Sequence, residues 1–192
     1  AEETEAETET EAAAAADETV DVVIVGGGGA GMTTAIKLVE GGKDVILVEK
    51  QGMLGGATSL AATYFVAVNT PVQQEAGMGM EIADYVAEQV EANPQTSAEN
   101  LTTLLEHSEE SRQWLLSLGV DLTRPMSYYQ VGIGDGSSLG SAIVVALADE
   151  VERAGVDYRL NTRATEIVME DGKAAGVKVE GPDGAYTIYA ND

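Results

Sequence analysis

The run VDVVIVGGGGAG, residues 20–31, constrains the fold more than any other stretch of the chain. Its first half is short, β-branched and almost continuously apolar, the pattern of a strand buried on both faces of a parallel sheet. Four glycines follow without a break. MTTAIKLVEGG then sets Met32, Ala35, Ile36 and Val39 at helical spacing and stops at Gly41 and Gly42. DVILVEK returns as a second strand ending at Glu49. Strand, glycine turn, helix and strand within about 30 residues make a βαβ unit, so the expected class is α/β with a Rossmann-like sheet.

Gly26, Gly28 and Gly31 occupy the defined places of G-x-G-x-x-G. The first permits a tight turn, the second lets a diphosphate approach the backbone, and the third allows helix and strand to pack closely. The free N–H groups of the helix start add a local anion site. Glu49, 23 residues after Gly26, ends the second strand where a carboxylate accepts from ribose hydroxyls and repels a 2′-phosphate. Alone, the glycines would also suit packing and Glu49 a solvated strand end. Together, in this strand and helix context, they point to a dinucleotide.

Charge narrows the partners. The chain carries 33 acidic and 10 basic side chains, a net charge of −23, so no basic face for nucleic acid can be assembled and docking on an anionic membrane is disfavoured. Cysteine is absent, which excludes disulfides, thiolate metal sites and redox dithiols; no metal-ligand set stands out. No apolar run reaches the roughly 18 residues of a membrane span, so direct membrane insertion is not expected. Residues 1–19 hold eight acids and no base and read as a solvated acidic linker, the rival being a helix favoured by Ala and Glu. The domain is expected over 20–192. An anionic ligand is compatible with this charge, because backbone amides touch it while distant carboxylates are screened beyond about 8 Å.

Further along, two helices are expected, split at Asn93-Pro94, the second capped by Ser97 with Leu101, Leu104, Leu105, Ser108, Trp114, Leu115 and Leu118 near one face. His107, the only histidine, reads as a solvated or structural residue of that helix. Gly132, Gly134, Gly136 and Gly140 form a glycine-rich entry to another helix, either beside a ligand or as a plain cap, and Tyr128 and Tyr129 either line a cavity or pack. A strand to Leu160 is followed by a three-stranded meander, about 165–189, with turns at Asp171-Gly172 and Asp183-Gly184.

KQGMLGGATSLAATYFVAVN brings a second glycine pair, Gly55 and Gly56, and a small-residue segment. Here residues 20–192 resemble the FAD-dependent oxidoreductase 2 family, the fumarate reductase and succinate dehydrogenase flavoproteins, and especially the soluble flavocytochrome and urocanate-reductase-like branch. The resemblance implies FAD, bound non-covalently because the loop has no histidine. It implies Gly26, Gly28, Gly29, Ala30 and Gly31 at the diphosphate, and Glu49 with its neighbour Lys50 at the adenosine ribose. Gly55, Gly56, Ala57, Thr58, Ala62 and Thr63 would run along the diphosphate and flavin, and Ala164 would meet the adenine. Ala57 departs from the family's Asn, and Thr63-Tyr64 from a glycine pair beside the flavin ring.

In the intact family, reduced flavin gives hydride to an activated C=C bond of a carboxylate, so a small-molecule carboxylate is the implied substrate and a partner domain or redox protein the implied donor. The capping domain, with its substrate-binding Arg and His and its proton-donating Arg, has no match in these residues. Arg112, Arg124 and Arg163 do not stand at its positions. No catalytic residue is assigned, the central sheet is expected to be incomplete at its C-terminal side, and this portion is expected to be inactive alone. Alternatives are a non-catalytic flavin or nucleotide module acting through a partner chain, or the cofactor half of a steroid-dehydrogenase-like flavoenzyme. Ala1 in place of an initiator Met, with the acidic stretch, fits an exported, tethered enzyme and equally a trimmed cytoplasmic one.

Overall fold

Asp21 divides the first apolar run into two strands that enter different sheets. In the structure, a computed structural model, residues 16–61 and 63–191 are described; most of the acidic linker, Ala62 and Asp192 lie outside them. The elements begin with β1 (Glu18–Val20), β2 (Val22–Val25), α1 (Gly29–Glu40), β3 (Val45–Val48), a 3₁₀ turn (Gly56–Leu60), β4 (Phe65–Val66), α2 (Pro71–Glu75) and α3 (Ile82–Ala92). They continue with α4 (Ala98–Glu106), α5 (Ser108–Ser117), β5 (Arg124–Ser127), β6 (Gln130–Gly132), α6 (Leu139–Ala154), β7 (Asp157–Arg159), β8 (Arg163–Glu170), β9 (Lys173–Gly181) and β10 (Gly184–Ala190).

The chain divides into two compact units. The first comprises the described residues up to Gly27, Thr34–Leu54 and those from Gly155 on. Its parallel sheet has the order β2-β3-β7, and its second sheet the order β1-β10-β9-β8. At Asp21 the chain bends: the N–H groups of Asp21 and Val22 both donate to the Asp44 carbonyl (3.0 and 3.1 Å), and the Asp44 N–H donates to the Asp21 carboxylate (3.0 Å). Thus β1 pairs in parallel with β10, while β2 pairs with β3. The expected meander is present as β8, β9 and β10, with β1 as a fourth strand, so the presumed linker end at Glu18 and Thr19 belongs to a sheet.

Ile46 and Val48, from one face of β3, share a core with Val20, Val177, Val179 and Ile188. Val45 and Leu47, from the opposite face, are buried too, as a continuous apolar run in a two-sided parallel sheet requires. Strand β2 does not follow that expectation. It is half-buried and Val25 is 59% exposed, because among the described residues only its β3 edge is paired.

Arg159 ties β1 to β7. Its guanidinium donates to both Glu18 oxygens (2.7 and 2.8 Å), to Asp157 (2.8 Å) and to the Tyr186 hydroxyl (3.1 Å). Hydrogen bonding from Arg159 holds the Glu18 carboxyl below its ordinary value of 4.5. A lowered folded-state pKa means stabilisation that is present above the ordinary value and lost as pH falls through the folded one. The pair is partly solvated, so Glu18→Gln should cost less than about 1 kcal/mol at pH 7 and nothing at about pH 2. Urea midpoints at the two pH values check this; an equal loss at both would remove the carboxylate from the explanation.

The second unit comprises Gly28–Thr33 and Gly55–Ala154. It holds a small antiparallel sheet, β4-β6-β5, and a core of Val68, Tyr85, Val86 and Leu105. The expected break after Ala92 is found, and the Ser97 hydroxyl caps α4 by accepting from the Asn100 N–H at 3.2 Å. The single helix expected beyond it is two, α4 and α5, because the chain leaves helical geometry at His107 (φ −96°, ψ 1°). Leu104 is 54% exposed rather than on the buried face. Arg112 is buried, donating to both oxygens of Glu109 (2.6 and 2.8 Å) and to the Leu122 carbonyl (2.6 Å), a structural role.

Candidate functional site

In the first unit, the site is built where β2 and β3 end. Gly26 leaves β2 with φ +104°, a backbone that side chains rarely adopt, and its N–H donates to the Val48 carbonyl at 2.8 Å. Gly27 then passes against Glu49: an added Cβ would stand 3.2 Å from Glu49 Cβ and 2.5 Å from Leu54 Cδ2. This close pass lets the Gly27 N–H donate to Glu49 Oε2 at 2.7 Å, while the Gln51 N–H donates to Oε1 at 2.8 Å. The main chain of Glu49 is fixed as well, its N–H on the Arg159 carbonyl (2.8 Å) and its carbonyl under the Thr162 N–H (2.9 Å).

Glu49 is therefore a buried carboxylate with each oxygen held by one backbone donor and with further acceptor capacity on both. A cleft of about 330 Å³ opens beside it, lined by Gly26, Glu49, Lys50, Thr162, Arg163 and Ala164. Four expected site residues, Gly26, Glu49, Lys50 and Ala164, thus meet in one place although they come from opposite ends of the chain. Gly27 was not among the expected residues, because the second position of G-x-G-x-x-G is unspecified; the unbroken run of four glycines was the available signal.

In the second unit, Gly28 precedes α1 and Gly29, Ala30 and Gly31 begin it, and the second glycine pair folds onto this turn. Gly28 bridges Gly55 in parallel fashion, and the Gly29 N–H donates to Thr58 Oγ1 at 3.1 Å. Gly55 and Gly56 both have positive φ, +124° and +50°, and a Cβ on Gly56 would stand 3.3 Å from Gly28 Cα. Thr58 is thereby placed over the helix start. Ala57 is exposed on the 3₁₀ turn, Thr63 is exposed in the following bend, and Ala62 lies outside the described residues.

The reason for glycine at position 28 differs from that of its neighbours. Its φ is not left-handed, and a Cβ there would find Gly55 O as its nearest neighbour at 3.9 Å. Neither backbone strain nor the protein's own packing demands glycine. The space a side chain would fill stays open at the mouth of a helix N-terminus, the position at which a diphosphate approaches backbone amides.

The glycine-rich entry to α6 resolves into different roles. The Gly140 N–H donates to the Ala61 carbonyl at 2.7 Å, so Gly140 seats the 3₁₀ turn, whereas Gly132 and Gly134 pack closely on Met126 and Asp121 and Gly136 turns with φ +78°. The tyrosines do both things that the sequence left open. Tyr129 stacks on Tyr85 at 5.2 Å, and Tyr128, partly exposed, borders a cavity of about 380 Å³ with Met78 and Met80. Burial raises the Tyr85 hydroxyl pKa, and the carboxylate of Glu88 raises that of Tyr128. His107 is exposed, with Nδ1 3.3 Å from Glu110.

A family model described as an FAD binding domain, FAD_binding_2, matches residues 21–191. The chain belongs to this family. FAD is accordingly the cofactor of the domain. Among curated relatives, a "Fumarate reductase (cytochrome)" of Shewanella frigidimarina is 32% identical over 178 residues, covering 84% of this chain and 30% of the relative. Among solved structures, the open conformation of a flavocytochrome c3 fumarate reductase superposes with a TM-score of 0.84 at 30% identity, covering 91% of this chain and 33% of that one. A 3-ketosteroid-Δ4-(5α)-dehydrogenase from Rhodococcus jostii RHA1 superposes with a TM-score of 0.79 at 22% identity, covering 90% and 44%, a likeness of fold. This FAD_binding_2 chain spans about a third of the length of the fumarate reductases it matches.

Proposed function

We propose that this chain is the FAD-binding portion of a flavin-dependent reductase that acts on an activated C=C bond of a small carboxylate. The observation that carries the reading is the open space over Gly28 at the N-terminus of α1, a glycine required by nothing within the protein itself. Glu49 supports it, because its backbone-held oxygens stand ready to accept from ribose hydroxyls. The reductase chemistry is supported by likeness to proteins named fumarate reductase. Bound FAD would supply the hydride chemistry. The chain's own residues bind and orient: Glu49 at the adenosine ribose, Ala164 at the adenine, and Gly26 and Gly28 with the first amides of α1 at the diphosphate. Gly55, Gly56 and Thr58 would hold the adjoining part of the cofactor.

No side chain here is assigned to proton transfer, so dye-linked reduction of fumarate by these residues alone is expected to be absent. The cofactor reading is tested by titrating the chain with FAD, FMN and NAD and following flavin fluorescence or tryptophan quenching. FAD should saturate at a concentration at least about tenfold lower than FMN, which lacks the adenosine that Glu49 engages, a difference of about 1.4 kcal/mol. Equal affinity for FAD and FMN, or a preference for NAD, would overturn it.

A further inference from the structure

Ten basic side chains sit in a chain with 33 acids, so a base can find an acidic partner almost anywhere. Lys37 takes Glu40, Arg112 takes Glu109, Arg153 takes Glu150, Arg159 takes Glu18 and Asp157, and Lys178 takes Glu166. The side chains of Lys50, Arg124, Arg163 and Lys173 make no hydrogen bond or ion pair among the described residues. Two of these four, Lys50 and Arg163, line the same cleft, and it is the cleft of Glu49 and Ala164. One comes from the end of β3 and the other from the start of β8, so their meeting is a product of the fold.

We infer that Lys50 and Arg163 are the electrostatic guide of this cleft, attracting the anionic cofactor FAD to it against the repulsion of a chain with net charge −23. The inference rests on the reading of the cleft as the adenosine end of the FAD site. Among the residues that line the cleft, the formal charges of Lys50 and Arg163 outweigh that of Glu49. Both are exposed, so the affinity they add comes through the association rate and is screened by salt. They act during approach, where rim charges change the association rate and its salt dependence more than the dissociation rate. Because neither is engaged by a carboxylate of the described residues, no ion pair among these has to break when the ligand arrives. The same two residues thereby add specificity for a phosphorylated, adenosine-bearing ligand over an uncharged flavin.

Stopped-flow capture of FAD, read by fluorescence, tests this with two double variants of equal net charge. Lys50→Ala with Arg163→Ala removes the guide; Arg124→Ala with Lys173→Ala removes two other cations that have no ion-pair partner among the described residues. At about 20 mM ionic strength the first pair should slow association about tenfold, and at about 0.5 M salt the gap should close to within about twofold. Dissociation should stay within about threefold, and the second pair should associate like the unsubstituted chain. Equal slowing by both pairs would assign the effect to total charge and overturn the inference. So would no slowing, or a slowing that persists in high salt with faster dissociation, which marks a direct contact in the complex. Failure of the unsubstituted chain to capture FAD would remove the cofactor reading itself, before any variant is compared.

Discussion

Gly140→Ala is expected to destabilise the second unit by about 3 kcal/mol, at the upper end of what a single added methyl costs in a packed interior, and to cut FAD affinity at least about tenfold. The methyl would stand 2.7 Å from the Ala61 carbonyl oxygen and 3.0 Å from the Ala61 nitrogen, with the Thr58 carbonyl closer still. All of these are backbone atoms, so no side chain can swing aside. The 3₁₀ turn must lift from α6, and the hydrogen bond between Gly140 and Ala61 goes with it. Thr58 rides on that turn and accepts from Gly29, so the disturbance reaches the start of α1. Gly119→Ala is the comparison: its φ is +88° but nothing lies within 4 Å of its Cβ, so only the backbone cost of about 1–2 kcal/mol remains. Urea unfolding followed by circular dichroism, with FAD titration of the folded variants, separates the two. Equal losses in both would show that the close approach of α6 does not hold the turn.

The contrast between these glycines marks what the sequence made legible. The βαβ unit, the meander and the convergence of Gly26, Glu49 and Ala164 were readable, because turn glycines, β-branched runs and a carboxylate at a strand end are local signals whose meaning survives folding. What escaped was decided by contacts distant in sequence. VDVVIV reads as one strand from its hydropathy, yet the Asp21 carboxylate and the Asp44 amide and carbonyl bend it, and its two parts find partners more than a hundred residues apart in position, β10 and β3. The helix expected through His107 has continuous helical propensity, yet the backbone leaves helical geometry at that residue. The pairing of Phe65 with Val131 in β4 and β6 joins a segment read as loop to one read as a glycine-rich entry. Gly27 and Gly140 look like any other glycine until the atoms that crowd them are known.

Glu49→Gln should lower FAD affinity by about 10- to 100-fold, the range expected when a charged hydrogen bond worth about 1.5–3 kcal/mol is lost. The substitution keeps the volume and removes an acceptor. In the native arrangement the two carboxylate oxygens accept from Gly27 and Gln51 at 2.7 and 2.8 Å. A glutamine can satisfy one of these with its carbonyl but must turn its NH₂ toward the other N–H, setting donor against donor in a buried place. The loop carrying Gly26 and Gly27 then loses its anchor even before a ribose is considered. Under the proposed reading a second loss is added, because the ribose hydroxyls meet an amide donor in place of a carboxylate. The two effects come apart by measuring stability of the ligand-free chain together with affinities for FAD and riboflavin. A variant that is destabilised yet binds FAD as tightly as before would make Glu49 a structural anchor only. Weakened FAD binding with unchanged riboflavin binding places the carboxylate on the adenosine half of the cofactor, where the fold has brought it beside Ala164 in the first unit's cleft.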